Sequence, residues 1–258
     1  MTTDLVAPLT IATFYRFTPL PDWPRWQEAL QALGQQLGLK GTILLAPEGI
    51  NATVAGSAAA IAALLSFLEG DRRFQALDCK RASSDRLPFE RFKVKGKPEI
   101  VTLGLPAINP AQLPGEYVAP AHWNALIEDP AVLVLDTRNR YEVAIGSFAG
   151  AINPQLDHFR QFPAYVQQHL QPQGDRPIAM FCTGGIRCEK ASAYLRQQGF
   201  RQVYQLHGGI LRYLETTPPA LSRWQGECFV FDQRVSVTPD LQPGGYTLSA
   251  TGEPLPKA

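Results

Sequence analysis

The stretch Met180-Phe-Cys-Thr-Gly-Gly-Ile-Arg-Cys-Glu-Lys190 joins three kinds of sequence: an apolar strand end, a loop with paired glycines, and the first turn of a helix. The run leading into it, residues 176–181, reads as a strand buried on both faces. Two further runs of that character lie at 131–135 (Ala-Val-Leu-Val-Leu) and 201–206, and helical patterns occupy 155–170 and 187–198. Strands alternating with helices predict a small parallel α/β domain. In such sheets ligands bind outside the carboxyl ends of the strands, where Cys182 stands. Gly184 and Gly185 let successive backbone N–H groups point inward and cradle an anion. Those dipoles and Arg187 favour the thiolate of Cys182 at neutral pH, a nucleophile that can also hold an anion or a persulfide. An isolated cysteine closing a core strand is ordinarily a packing residue. Here Cys182, two glycines and Arg187 fall within six residues of a strand–helix junction, which favours chemistry.

Working toward the N-terminus, the pattern changes. Residues 10–19 read as a strand. A helix follows with Asp22 as N-cap, Trp26, Leu30, Leu33 and Leu37 on one face, and Gly38 at its end. Residues 41–55 read as a hairpin about Pro47-Glu48-Gly49, Ser57 caps a second helix ending at Gly70, and strands are expected at 74–81 and 92–103. The order strand, helix, strand, strand, helix, strand fits a ferredoxin-like α+β sandwich. The expected organisation is a ferredoxin-like domain over 1–104, a Pro-rich linker over 105–120, a parallel α/β domain over 121–223, and a C-terminal strand and tail over 224–258.

Composition excludes several classes. The 258 residues carry 24 Lys+Arg against 23 Asp+Glu, with 45% hydrophobic and 18% charged residues, an ordinary globular balance. The longest apolar stretch, 58–68, is too short to span a membrane. The N-terminus lacks the basic and apolar segments of a signal peptide. Four scattered cysteines do not make a disulfide scaffold, so a reduced, cytoplasmic protein is expected. His122, His158 and His169 share no ligand spacing with any cysteine, so no metal site is expected.

Cys182-Thr183-Gly184-Gly185-Ile186-Arg187 resembles the active loop of rhodanese domains, which carry a persulfide on that cysteine. Asp136-Thr-Arg-Asn-Arg-Tyr-Glu142, Gly150-Ala-Ile-Asn-Pro154 and Leu206-His-Gly-Gly-Ile210 resemble three further rhodanese segments. The longer string to Ala191, with Phe92-Lys-Val-Lys and Glu99-Ile-Val-Thr102, is similar to the bacterial tRNA uridine hydroxylases. That resemblance implies an acylphosphatase-like N-terminal domain and a rhodanese domain. It also implies conversion of the wobble uridine of tRNA (position 34) to 5-hydroxyuridine, with dioxygen as co-substrate and no bound cofactor. Many members continue into a Cys-rich extension beyond the position of Ala258. The loop encloses four residues between Cys182 and Arg187, one fewer than the cradles of cysteine-dependent phosphatases, and so suits a sulfur-sized occupant.

The resemblance implies Cys182 and Arg187 as catalytic; Asp136 and Arg138 either orient the loop from behind or pair structurally with each other, the resemblance favouring support of the loop over direct chemistry, and Glu142 is read as structural. Cys188 has two readings, a thiol that resolves Cys182 or a core residue sharing a helix face with Ala191 and Leu195. Residues 80–97 hold seven basic side chains against two acidic ones. Arg91, Lys93, Lys95 and Lys97 alternate, so a strand would put them on one face. With Lys80 and Arg81 they form an expected contact to the anticodon arm of tRNA, against the alternative of a solvated edge strand. The competing functions are a sulfurtransferase passing sulfane sulfur to an acceptor, and a non-catalytic tRNA-binding module, against which the intact Cys182 and Arg187 argue.

Overall fold

The computed structural model describes residues 9–170 and 176–257. The chain divides into two compact units at the Val101–Thr102 boundary. The first unit holds β1 (Leu9–Phe17), α1 (Trp23–Gln36), β2 (Lys40–Ala46), β3 (Gly49–Gly56), α2 (Ala58–Glu69), β4 (Lys80–Ser84) and β5 (Phe92–Gly96). Its sheet runs β4-β1-β3-β2-β5. The first four strands keep the antiparallel ferredoxin-like order, and β5 adds a parallel edge beside β2. Period-two patterning explains the burial. Ala12 and Phe14, Ala52 and Val54, and Ile43 and Leu45 face one side and pack with Leu30, Ile61, Leu64 and Leu68 of the helices.

Local chemistry agrees with the sequence in some places and departs from it in others. Ser57 Oγ accepts from the Ala60 N–H at 3.1 Å, capping α2 as expected. Asp22 occupies the N-cap position of α1 but makes no capping bond. Its carboxylate instead receives the Arg73 guanidinium and the Trp26 indole N–H. The strand expected at 74–81 begins only at Lys80. Asp71 caps a short 3-10 turn, Arg72–Phe74, that buries Phe74, and Ala76 then adopts φ +52°. The strand expected to reach residue 103 ends at Gly96, directly before Lys97-Pro98.

The second unit holds β6 (Glu116–Val118), α3 (Pro120–Ile127), β7 (Leu133–Asp136), α4 (Arg140–Val143), β8 (Gly146–Phe148), α5 (Phe162–His169), β9 (Ile178–Phe181), α6 (Ile186–Gln197), β10 (Val203–Leu206) and α7 (Gly209–Thr216). An all-parallel sheet runs β6-β10-β9-β7. β6 lies inside the stretch read as linker. The helix expected over 155–170 is confined to α5, after a 3-10 turn at Phe159–Gln161.

The C-terminal stretch is not a detached tail. β11 (Trp224–Gly226) pairs antiparallel with β8. The stretch 228–237, expected as one strand, turns back at Asp232-Gln233-Arg234 into the hairpin β12 (Cys228–Phe229) and β13 (Ser236–Val237). Trp224, Cys228, Val230 and Val237 join Trp123, Phe148, Phe181 and Tyr213 in the core behind the parallel sheet. A last hairpin pairs β14 (Tyr246–Leu248) with β15 (Pro254–Pro256).

Candidate active site

β9 delivers Cys182 to its carboxyl end, and the chain turns through Thr183, Gly184 and Gly185 into α6. Gly185 has φ +105°, a conformation that side chains resist. That geometry aims its N–H at Cys182 Sγ, 3.1 Å away. The loop is backed by the start of α7. Ile210 N–H donates to the Cys182 carbonyl at 3.0 Å and Leu211 N–H to the Thr183 carbonyl at 3.1 Å. Gly209 makes this approach possible, since a Cβ there would stand 2.5 Å from the Cys182 carbonyl oxygen.

Cys182 is fully buried. Burial alone would push its thiol up. Opposing it are a hydrogen bond from the Cys188 thiol, the charge of Arg187, and backbone N–H groups of Cys188 and Arg187. Together they hold Cys182 well below the ordinary thiol range. Cys188, buried and facing that sulfur, is pushed up by burial and by its partner's charge. The proton of the pair therefore rests on Cys188. Cys188 is a buried core residue, and its thiol faces Cys182. Thr137 Oγ adds a contact, 3.6 Å from Cys188 Sγ and 3.0 Å from the Phe181 carbonyl.

Arg187 is held in place by Glu142, whose carboxylate accepts two bonds from the guanidinium at 2.5 and 2.8 Å. Arg187 also reaches Thr183 Oγ at 3.4 Å. Glu142 is fully buried, which opposes its ionisation, yet the charge and hydrogen bonds of Arg187 keep its carboxyl below the usual glutamate range. Glu142 Oε2, which takes the shorter Arg187 bond, also accepts the Asn139 N–H at 2.9 Å. Glu142 is thus the partner of the loop arginine, a role its reading as structural missed. The pattern Asn139-x-x-Glu142 marks a helix start, but nothing in its spacing points to Arg187.

Asp136 and Arg138 pair with each other in full burial, at 2.9 and 2.6 Å. Arg138 further donates to the carbonyls of Glu142 and Gly146, and its guanidinium lies 5.2 Å from the Trp224 ring centroid. They brace the segment carrying Glu142 and do not contact Cys182 through any hydrogen bond seen among the described residues. His207 stacks edge-on against Tyr117 with ring centroids 5.6 Å apart. Among the described residues no three of His, Cys, Asp and Glu converge on one point, and no helix is long and apolar enough to cross a membrane.

The six basic residues expected at tRNA do not form one surface. Lys93 and Lys95 project from β5 on the face away from the helices, with Arg91 and Lys97 exposed beside them. Lys80 and Arg81 belong to β4, at the opposite edge of the sheet; Lys80 shares the open face of Lys93, in one row through Thr13, Thr53 and Thr42, but three strands away. Lys80 sits with its ammonium 3.9 Å from Asp78 and 6.0 Å from the Tyr15 ring, its side chain only 11% exposed. Arg81 is register-paired with Ala12 on the helix-covered face and lines a cavity of about 160 Å³ beside α2. Sheet order, which sequence spacing does not reveal, separates the set.

Residues 9–100 match the model of the UPF0176 acylphosphatase-like domain, and 119–216 match the rhodanese-like domain. The protein is therefore of the class that joins an acylphosphatase-like domain to a rhodanese-type cysteine loop. Among curated relatives, a tRNA uridine(34) hydroxylase of Synechococcus elongatus is 55% identical over 96% of this chain and 92% of its own length. One of Synechocystis is 54% identical over 92% and 86%. The chain belongs to the tRNA uridine(34) hydroxylase family. Among solved structures, the rhodanese-like domain of an Anabaena protein overlaps 43% of this chain and 78% of its own, at 22% identity and a TM-score of 0.34.

Proposed function

We propose that this chain hydroxylates C5 of the uridine at position 34 of tRNA, as the name of its relatives indicates for the reaction class, with Cys182 as the reacting sulfur. The observation that carries the assignment of Cys182 is its surroundings: an inward amide, a thiol donor and a guanidinium around one buried sulfur. Such a site stabilises negative charge on sulfur before any substrate arrives. Cys182 then serves as the nucleophile, carrying a persulfide or an oxidised-cysteine intermediate, while Arg187 and the Gly185 N–H balance its charge and Glu142 fixes Arg187. Dioxygen is the co-substrate and no bound cofactor takes part. Inserting one oxygen atom into the C5–H bond leaves the other to be reduced to water by two electrons. Two neighbouring thiols release that number, with two protons, on forming a disulfide, and an external dithiol reductant then restores them by exchange, which gives Cys188 a role beside Cys182.

The tRNA is held by its anticodon arm, with Lys93 and Lys95 contributing phosphate contacts and Arg91 and Lys97 extending the stripe. The same thiolate could accept sulfane sulfur and pass it on, the chemistry of the rhodanese fold, and one experiment separates the two. Nucleosides are measured by mass spectrometry in a host lacking its own hydroxylase genes, with and without this chain. Restored 5-hydroxyuridine is the expected result. A gain confined to 2-thiouridine would assign sulfur transfer instead.

A further inference from the structure

The hairpin formed by β12 and β13 holds a large apolar side chain in water beside the cysteine loop. Phe231 is 60% exposed, in a stretch that neither domain match covers. The Arg187 guanidinium lies over its ring, 5.9 Å from the centroid. Behind it, Phe229 meets the Phe231 ring edge-on at 5.1 Å, and Tyr141 meets Phe229 at 5.2 Å. Phe229 is itself buried with Ile145 and Val235.

The tip that carries Phe231 is rigid. Val230 N–H donates to the Val235 carbonyl and Val235 N–H to the Asp232 carbonyl, both at 2.9 Å. Arg234 grips Asp232 through two bonds of 2.9 and 2.6 Å. Val235 has φ +64°, a costly conformation for a β-branched residue, so the turn is over-determined by its surroundings. At the base, the Glu227 carboxylate accepts Ser236 Oγ at 2.6 Å and Gly245 N–H at 3.0 Å. An exposed aromatic ring on a braced hairpin, seated on the loop arginine, is a surface built to be met by something flat.

We propose that Phe231 is the stacking platform for the target uracil, holding the base at the entrance to the Cys182 loop. This rests on the reading that the loop acts on a tRNA uridine. A base that reacts must leave the stack of its neighbours, and an aromatic face at the site returns the lost stacking. The Arg187 charge lies against the same ring. Phe231 is therefore a positioning residue, acting on the base rather than on the sulfur.

The test compares Phe231→Ala, Phe231→Leu and Phe231→Tyr with the wild-type chain, by nucleoside mass spectrometry of tRNA reacted under turnover conditions and by melting temperature. Alanine and leucine are expected to lower kcat/KM roughly tenfold to a hundredfold, tyrosine to restore it, and melting to stay put. Leucine performing as well as tyrosine would make the side chain mere packing and overturn the proposal. So would alanine matching the wild type, or a Phe231→Ala variant whose sole defect is lost self-association in sedimentation. If the wild-type chain itself yields no hydroxylated uridine, the functional reading fails, and this proposal falls with it.

Discussion

At the scale of single residues, the site is a problem of placing one proton and one charge. Cys182 and Cys188 face each other, and the charge of Arg187 with the donors around Cys182 favours the proton on Cys188. Removing that donor in Cys188→Ala takes a hydrogen bond from the thiolate, so the Cys182 pKa must rise. Alkylation rate against pH measures this. The wild-type profile is expected to stay flat well below the ordinary thiol value of about 8.5, and the variant profile to move to higher pH. Coincident profiles would remove Cys188 from the account. Glu142 carries a second prediction. Glu142→Gln leaves the buried Arg187 guanidinium without its counter-charge, which costs about 3–5 kcal/mol when one partner of such a pair is removed, read as a lower denaturation midpoint. The pH dependence has a definite sign. The folded carboxyl lies below its unfolded value, so its contribution is complete above the usual glutamate range and is lost as pH falls through the folded pKa. The variant should lack that acid-side loss.

At the scale of elements, the loop is shaped by what packs behind it. α7 donates to the carbonyls of Cys182 and Thr183 only because Gly209, at φ +66°, brings no Cβ into their way. Gly209→Ala is expected to push the loop out of register, lowering both the melting temperature and the reactivity of Cys182; an unchanged thiol reactivity would show that the loop keeps its shape without this close approach. Much of this level was legible in the sequence. The strand–glycine–helix pattern located the loop, Ser57 capped its helix, and alternation put Lys93 and Lys95 on one face. What was not legible depended on distance along the chain. Glu142 and Arg187 are 45 residues apart and meet only through the sheet. β6 is three residues long in a proline-rich stretch, and 228–237 reads as one strand only if the polar break Asp232-Gln233-Arg234, where the chain folds back, is passed over.

At the scale of the whole molecule, the charge is nearly balanced, so any attraction for tRNA comes from where the basic residues lie. β4 and β5 occupy opposite edges of one sheet, so Lys80, though on the same face as Lys93, stands across three strands from the β5 stripe, which is the contiguous basic row among the residues expected to bind. Neutralising Lys93 and Lys95 together should flatten the dependence of log affinity on log salt by roughly 1.4–1.8 in slope, the loss of two phosphate contacts. Lys80→Gln, on an ammonium already engaged with Asp78 and Tyr15, should leave the slope unchanged. Equal effects from the two changes would return Lys80 to the interface.

The proposed reaction turns on a charged sulfur at Cys182 that brings dioxygen to a tRNA uridine. The direct measurement supplies isotopically labelled dioxygen to the purified chain and tRNA, with an electron donor, and follows the nucleosides by mass spectrometry. 5-Hydroxyuridine carrying the heavy oxygen is expected from the wild-type chain, and a loss of roughly three orders of magnitude or more with Cys182→Ser. Product formed by Cys182→Ser at the wild-type rate, or product whose oxygen comes only from water, would contradict it.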